Sequence, residues 1–354
     1  MIKRIINTLR WANENSKKSG KSILWIIKDF YTLRAKYKVS KLEYTNYRLH
    51  SIDNNFRETF LPYAKAEEYW EILNPRKNAI LARDKFIGHS LLSKIGISTA
   101  QLYFAYDKES DGENTLILHT AEQVVNKIKQ LNIKSFVAKP AADSAHGKGV
   151  GVYDVNKIIE FGGSEIKIED ILSCGKMVLF ESLIQQTEQM SKINKSSVNT
   201  IRMMTALYPN QKVKMIAAFI KIGRAGSCVD NAGSGGNVDC AVNLETGELY
   251  NALQFNSWED TLPIEKHPDS GVKLNGLIIE NWDEIKSIVM GWQAQIPYLK
   301  TIGWDVAVTD NGPVIVEINN WWDTTGQLFL GNGWHKEVKE CYDAWVKYYK
   351  NNAE

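Results

Sequence analysis

No run of apolar residues in this 354-residue chain approaches the roughly 20 needed to cross a bilayer. The longest, Met215-Ile216-Ala217-Ala218-Phe219-Ile220, stops at Lys221. No apolar stretch with a small-residue cleavage site follows Met1-Ile2-Lys3-Arg4, so the sequence predicts a cytoplasmic protein. Cysteine is scarce: Cys174, Cys228, Cys240 and Cys341 are scattered, without a C-x-x-C pair or a histidine at zinc-ligand spacing. That excludes a disulfide framework and predicts reduced thiols. Internal repeats, low-complexity tracts and a convincing Ser-His-Asp or Cys-His set are also missing. With 44% hydrophobic and 24% charged residues, the chain is neither disordered nor collagen-like, and it is long enough for two or three packed lobes.

A formal net charge of +2 conceals an asymmetry. Residues 1–50 hold 12 Lys and Arg against 3 Asp and Glu, which leaves the remainder net acidic. Such a basic segment attracts an anionic bilayer or nucleic acid, or it simply solvates a helix surface. No helix-turn-helix, zinc or RNA-binding motif accompanies it, so no nucleic-acid partner is expected.

From Ile2 to about Arg76 the apolar residues recur at three and four (Ile2, Ile5, Ile6, Leu9; Leu24, Ile27, Phe30, Leu33), which predicts a helical N-terminal region. Further helices are predicted over Arg83–Lys94, ended by Gly96, and over Ala121–Leu131. Strand signals follow: Phe136-Val137-Ala138 leading into a glycine-rich loop, Val150 to Val155, and Met177 to Ile184. Thr200–Tyr208 and Val213–Ile222 read as a hairpin turning at Pro209-Asn210, and Asp239–Val242 pairs with Leu249–Leu253 across Glu245-Thr246-Gly247. After a helical stretch from Trp282 to about Trp292, Trp304–Val308 and Pro313–Ile318 flank Asn311-Gly312, the clearest hairpin signal in the chain. An aromatic-rich helix from Trp334 to Tyr349 closes the sequence. This order predicts an α+β fold with antiparallel sheets rather than an alternating doubly wound one.

Three clusters bear chemistry. Lys139-Pro140 ends a strand, and Ser144-Ala145-His146-Gly147-Lys148-Gly149 follows: glycines that let backbone N–H groups turn inward beside two lysines suit a polyphosphate. A plain glycine-rich hairpin gives the same pattern, and neither standard phosphate-loop motif is matched. Asp305 lies on one strand of the last hairpin and Glu317 and Asn319, two apart, share a face of the other. Three convergent oxygen side chains suit Mg²⁺, and the competing reading is a polar strand edge. Thr200 and Arg202 share a strand face, upstream of Lys221, Arg224, Asp230-Asn231 and Gly235-Gly236. There a guanidinium is placed either for a bidentate phosphate or carboxylate contact or for a salt bridge.

The constellation resembles the ATP-grasp superfamily, and more narrowly its sugar-transfer-associated members found beside surface-polysaccharide genes. The resemblance covers about residues 80–330. It rests on Asp84-Lys85 and Gly96-Ile97-Ser98-Thr99, on Lys139-Pro140 with its loop, and on Val178-Leu179-Phe180-Glu181. Asn199-Thr200-Ile201-Arg202, Val229-Asp230-Asn231 with Gly235-Gly236, Gly303-Trp304-Asp305 and Glu317-Ile318-Asn319 complete it.

The resemblance implies two α+β lobes clasping ATP. Residues 1–80 would form the basic helical region, 81–185 the N-terminal lobe with the glycine loop, 186–332 the C-terminal lobe with the metal site, and 333–354 a terminal helix. Lys139 would contact the α- and β-phosphates, with Ser144, His146, Gly147, Lys148 and Gly149 closing over them. His146 in that loop touches phosphate, assists a proton transfer or fills space. Glu181 with the backbone of Ser182 and Leu183 would meet adenine, and Glu188 the ribose. Asp305, Glu317 and Asn319 match the metal trio for Mg²⁺, with Mn²⁺ as a substitute, while Arg202, Lys221 and Arg224 match basic residues near the transferring phosphate.

The activity implied is ATP-dependent ligation of a carboxylate to an amine through an acylphosphate, on a surface-polysaccharide or sugar precursor. The family also contains hydroxyl kinases, and a nucleotide sensor without turnover is the third reading. Trp321 and Trp322 either line a sugar or amino-acid pocket or pack in the core. A lipid-linked precursor would bring the basic segment to the inner membrane surface.

Overall fold

The computed structural model describes residues 2–52, 54–110, 114–142, 147–228, 230, 235–257 and 260–352. Helices Ile2–Ser19, Ile23–Tyr37, Lys41–Asn46, Asn54–Thr59 and Tyr63–Leu73 form the N-terminal region, as the 3.6-residue period predicts. Ser22 caps the second helix, and Ser40 with Glu43 makes a capping box for the third. Ile26, Phe30, Leu33, Tyr44, Phe56 and Phe60 bury one another beside Trp11. The apolar stripe of the first helix does not join this core: Ile5, Ile6 and Leu9 are each about half exposed (54%, 50% and 48%), and Ala12 and Asn15 face inward instead.

Two sheets follow. The smaller contains β1 (Leu102–Asp107), β2 (Ile117–Leu118), β3 (Ser135–Pro140), β4 (Gly151–Asp154) and β5 (Met177–Glu181), in the order β2-β1-β5-β3-β4. It is antiparallel apart from the β1–β2 pair. Phe104, Phe136, Val178 and Phe180 point to one face, where Val124, Val125 and Ile128 of helix Ala121–Gln130 and Ile168 and Ile171 of helix Ile168–Leu172 cover them. Strand alternation sends Lys139, Leu179 and Glu181 to the opposite face.

The larger sheet contains β6 (Thr200–Leu207), β7 (Val213–Ile222), β8 (Val238–Val242), β9 (Leu249–Phe255), β10 (Thr261–Pro263), β11 (Thr301–Thr309) and β12 (Gly312–Asn319), in the order β10-β9-β8-β7-β6-β11-β12, antiparallel throughout. Both of its faces are covered. Ile201, Met203, Ala218, Ile220, Trp304 and Val306 meet helix Trp282–Gln295 on one side. Met204, Ala206, Ala217 and Phe219 meet Trp70, Trp322, Trp334 and Trp345 on the other. A strand buried on both faces has no polar residues to alternate, which is why the longest apolar run of the sequence lies in β7.

The helix predicted over Arg83–Lys94 is divided. Asp84 leaves helical geometry after helix Ile80–Arg83 and accepts hydrogen bonds from the Phe86 and Ile87 amides, capping helix Lys85–Lys94. The terminal helix His335–Asn351 packs on helix Tyr63–Leu73, and Trp345 donates to the Leu207 carbonyl at 2.7 Å. All four cysteines are free, as expected: Cys240 and Cys341 are buried, whereas Cys228 is exposed. No helix among the described residues is long and apolar enough to cross a membrane.

Candidate active site

The site is assembled on the polar end of one face of the large sheet, where it turns toward the Lys139 face of the small one. Register explains its composition. Arg202 pairs with Asp305 across β6 and β11, and Asp305 pairs with Glu317 across β11 and β12. The second pairing depends on a bulge. Thr309 to Val306 pair regularly with Gly312 to Ile315, and then Val316 is skipped so that Asp305 meets Glu317. A regular ladder would place Asp305 opposite Val316 and turn Glu317 to the helix-covered face. The bulge brings the two predicted carboxylates together.

Asp305 is 4% exposed and ion-paired. Arg202 donates from Nε to Oδ1 at 2.7 Å and from a terminal nitrogen to Oδ2 at 3.0 Å, and Lys221 Nζ lies 3.1 Å from Oδ1. Burial alone would raise its carboxyl pKa, but the Arg202 and Lys221 charges outweigh burial and hold it well below the usual range. Asn319 donates weakly to the same carboxylate at 3.5 Å. Glu317 is more accessible and receives Lys85 Nζ at 3.3 Å. On β7, Lys221 is opposite Asp239 of β8 and is charged in spite of burial because Asp230 and then Asp305 favour its cation.

Across the cleft, Lys139 Nζ is 2.7 Å from Glu181 Oε2, both nearly buried. Lys85, His89, Lys139, Glu181 and Glu317 line one cleft between the sheets, closed at its apolar end by Leu81, Leu92, Ile315 and Ile318. Gly147 and Gly149 both have positive φ, and the Val150 amide closes their turn on the Gly147 carbonyl at 3.1 Å. A Cβ at Gly149 would sit 2.9 Å from the Pro140 ring and 3.1 Å from the Cys174 carbonyl, so the loop base needs glycine. Lys148 is exposed beside it, whereas Ser144 and His146 lie outside the described residues.

The predicted residues therefore fall into two groups. Lys139, Glu181, Arg202, Lys221, Asp305, Glu317 and Asn319 converge. Arg224 and Glu188 do not: Arg224 makes a bidentate pair with Asp269 at 2.7 and 2.8 Å, and Glu188 is exposed and pairs with Lys192 along its own helix. Ser182 is tied to Gln101 in both directions, its amide donating to the Gln101 carbonyl at 2.8 Å. Trp322 is 1% exposed and packs edge-on against Trp70 and Trp334, so of the two adjacent tryptophans it is a core residue.

Sequence reasoning assigned no role to three contributors, of which Lys85 and Asp230 stand in its motifs and Asp239 was missed. Lys85 belongs to the Asp84-Lys85 motif, and its side chain reaches Glu317 because helix Ile80–Arg83, just before it, packs on β12. Asp230 accepts from the Thr200 amide at 3.0 Å and from its hydroxyl, pinning the start of β6. Asp239 is fully buried and neither carboxylate oxygen has a hydrogen-bond partner among the described residues; burial raises its carboxyl pKa well above the usual range. A lone Asp between Val238 and Cys240 in an apolar strand is the signal that marks it.

The donor set fits a divalent cation carried on a polyphosphate rather than a closed protein cage. Two carboxylates and an amide leave coordination positions for phosphate oxygens and water, as Mg²⁺ prefers. No group of three or more His, Cys, Asp or Glu side chains suited to a metal occurs among the described residues.

A family model described as sugar-transfer associated ATP-grasp matches residues 64–342. Among solved structures, D-alanine–D-alanine ligase from Bacillus anthracis is 16% identical, with 78% of this chain and 70% of that chain covered and a TM-score of 0.41. The biotin carboxylase domain of 2-oxoglutarate carboxylase from Hydrogenobacter thermophilus is 14% identical at a TM-score of 0.47, covering 79% of this chain and only 51% of that one. The ATP-grasp ligase PsnB, solved with a minimal precursor, is 14% identical at 0.42, covering 82% and 69%. No curated protein matches. Because the family model spans most of the sequence, including both lobes of the cleft and every converging residue, the chain belongs to the sugar-transfer-associated ATP-grasp family.

Proposed function

We propose that this protein is an ATP- and Mg²⁺-dependent ligase that joins a carboxylate to an amine, one of them carried on a sugar or surface-polysaccharide precursor. The observation that carries the reading is the convergence of Arg202, Lys221, Asp305, Glu317 and Asn319 on one sheet face, across a cleft from Lys139 and Glu181. Lys139, Lys85 and the Gly147–Gly149 turn would hold the phosphates. Adenine would meet Glu181, the Ser182 carbonyl and the Leu183 backbone, since the Ser182 amide is already committed. Asp305, Glu317 and Asn319 would hold Mg²⁺, or Mn²⁺ in its place, which when bound neutralises phosphate charge during transfer.

A carboxylate has no viable leaving group at neutral pH. Its oxygen would attack the γ-phosphorus, the bond to ADP would break, and the amine would then displace phosphate from the acyl carbon. Arg202 and Lys221 supply fixed positive charge as the phosphoryl group moves, already oriented by Asp305, so little reorganisation is needed. Residues 81–185 and 186–332 would act as the two clasping lobes, with 1–80 and 333–354 buttressing the second.

ADP and phosphate release, measured across amino acids and uronic-acid sugars singly and in pairs, tests this. Release that requires a carboxylate and an amine together is the expected result. ADP without free phosphate would replace the ligase by a hydroxyl kinase, and tight ATP binding without turnover would leave a sensor.

The N-terminal helix supports a second part of the reading, peripheral contact with an anionic membrane. Its exposed Ile5, Ile6 and Leu9 are flanked by the exposed Lys3, Arg4 and Arg10, a pattern that seats apolar side chains below charged headgroups. Vesicles containing phosphatidylglycerol should float the protein at about 50 mM salt and lose most of it above about 0.5 M. An Ile5→Asp/Leu9→Asp variant should not float at either salt. Flotation equal on neutral vesicles, or unchanged in the variant, would remove membrane contact from the proposal.

A further inference from the structure

Beyond the metal-binding end of β12 the structure holds two arginines that nothing in the phosphate chemistry employs. Arg76 starts a 3₁₀ turn, Arg76–Asn78, and Arg83 ends helix Ile80–Arg83. Their guanidinium carbons lie 5.2 and 5.9 Å from the ring centroid of the same side chain, Trp321. Both arginines are exposed, and neither has an ion-pair partner among the described residues. Asp323, close by in sequence, turns back to accept the Thr325 amide at 2.9 Å.

The platform beneath them is rigid. Trp321 stacks on Trp70 with centroids 5.8 Å apart and an interplanar angle of 19°, and its Nε1 donates to the Asn74 carbonyl at 3.3 Å. Asn74, fully buried, holds that corner by donating to the Thr301 carbonyl at 2.7 Å and to the Asn320 carbonyl. An indole held by Trp70 and the Asn74 carbonyl, with two guanidinium groups over its ring, limits the freedom of both arginines, so less entropy is lost when they bind a ligand.

Position ties this corner to the reacting centre. Arg83 is two residues from Lys85, which reaches Glu317, and Trp321 is two residues from Asn319. Two residues of extended chain span at most about 7 Å. An anion held by the arginines would therefore lie within a small molecule's length of Glu317 and Asn319.

We infer that Arg76 and Arg83, set on Trp321, form a subsite for an oxyanion of the sugar-linked substrate, a carboxylate or a phosphate that is not the reacting group. The inference rests on the ligase reading of the same cleft. Planar guanidinium forks recognise either anion through paired N–H donors, and a neutral sugar offers them no charge.

The test uses the full-length protein saturated with Mg²⁺ and a non-hydrolysable ATP analogue, with glucose 6-phosphate, glucuronate and glucose as probes. Calorimetry should detect the two anionic sugars, or one of them, on the wild-type protein and not glucose. An Arg76→Gln/Arg83→Gln variant should bind that probe about 10- to 100-fold more weakly, with nucleotide affinity unchanged within twofold. Response to the phosphate alone or to the carboxylate alone would identify the oxyanion. Equal anion binding by variant and wild type, or no anion binding by a wild-type protein that holds the nucleotide, would overturn the subsite. Failure of the wild-type protein to bind the nucleotide would instead overturn the ligase reading on which it rests.

Discussion

Glu317→Gln should slow ADP release by about 10²–10³-fold while leaving stability within about 0.5 kcal/mol of wild type, and Asp305→Ala should do something different. Both residues belong to the proposed metal set, but their surroundings differ. Glu317 is one-third exposed and touches Lys85 at its margin. Asp305 is the buried counter-charge of Arg202 and Lys221. Removing it takes from the largely buried Arg202 its bidentate partner and from Lys221 one of its two counter-charges, at a cost of about 3–5 kcal/mol. An inactive Asp305→Ala variant would therefore say little about metal binding, since much of it would be unfolded.

Urea unfolding separates the two effects. The stability that Asp305 contributes is complete above the ordinary carboxylate pKa of about 4 and is lost as pH falls through its depressed folded value. Wild type and Asp305→Ala should thus differ most at neutral pH and converge only in strong acid. Normal turnover by Glu317→Gln would remove Glu317 from the metal set. Wild-type stability of Asp305→Ala would mean that the Arg202 and Lys221 charges reach solvent.

What the sequence disclosed follows from the range of the physics involved. Hairpins were legible because a turn such as Asn311-Gly312 acts over a few residues, and alternation then places Asp305, Glu317 and Asn319. Even there the bulge at Val316, which makes the carboxylates neighbours, leaves no mark on hydrophobic spacing. Pairing over long separations was not legible. Arg224 groups with Arg202 as a basic residue downstream of it and through the family resemblance, yet its partner Asp269 comes from a distant loop. The first helix was readable as a helix from Ile2, Ile5, Ile6 and Leu9, but periodicity identifies an apolar stripe without saying what covers it. Trp321 and Trp322 show the same limit. Adjacent in sequence, they point to different surroundings, one to the core and one to a pair of arginines.

The Lys139–Glu181 pair admits a sharper division of roles, because a buried ion pair invites two explanations of the same loss. Lys139→Met alone should destabilise the protein by about 3–5 kcal/mol, since it strands a carboxylate that is 4% exposed. Adding Glu181→Gln removes the stranded charge, and the double variant should recover most of that stability. Activity should not follow. If Lys139 contacts phosphate, turnover at saturating ATP and substrates stays about 10²–10³-fold down in the double variant, and ATP affinity falls with it. Lys139→Met and the double variant would then share the same low activity per folded molecule while differing widely in urea midpoint. Recovery of turnover together with stability would make Lys139 a structural counter-ion to Glu181 and pass its phosphate role to Lys85, the other lysine lining the cleft. Glu181→Gln alone decides whether Glu181 also contributes to adenine binding: a raised KM for ATP with kcat near wild type would place it there, and an unchanged KM would confine it to orienting Lys139.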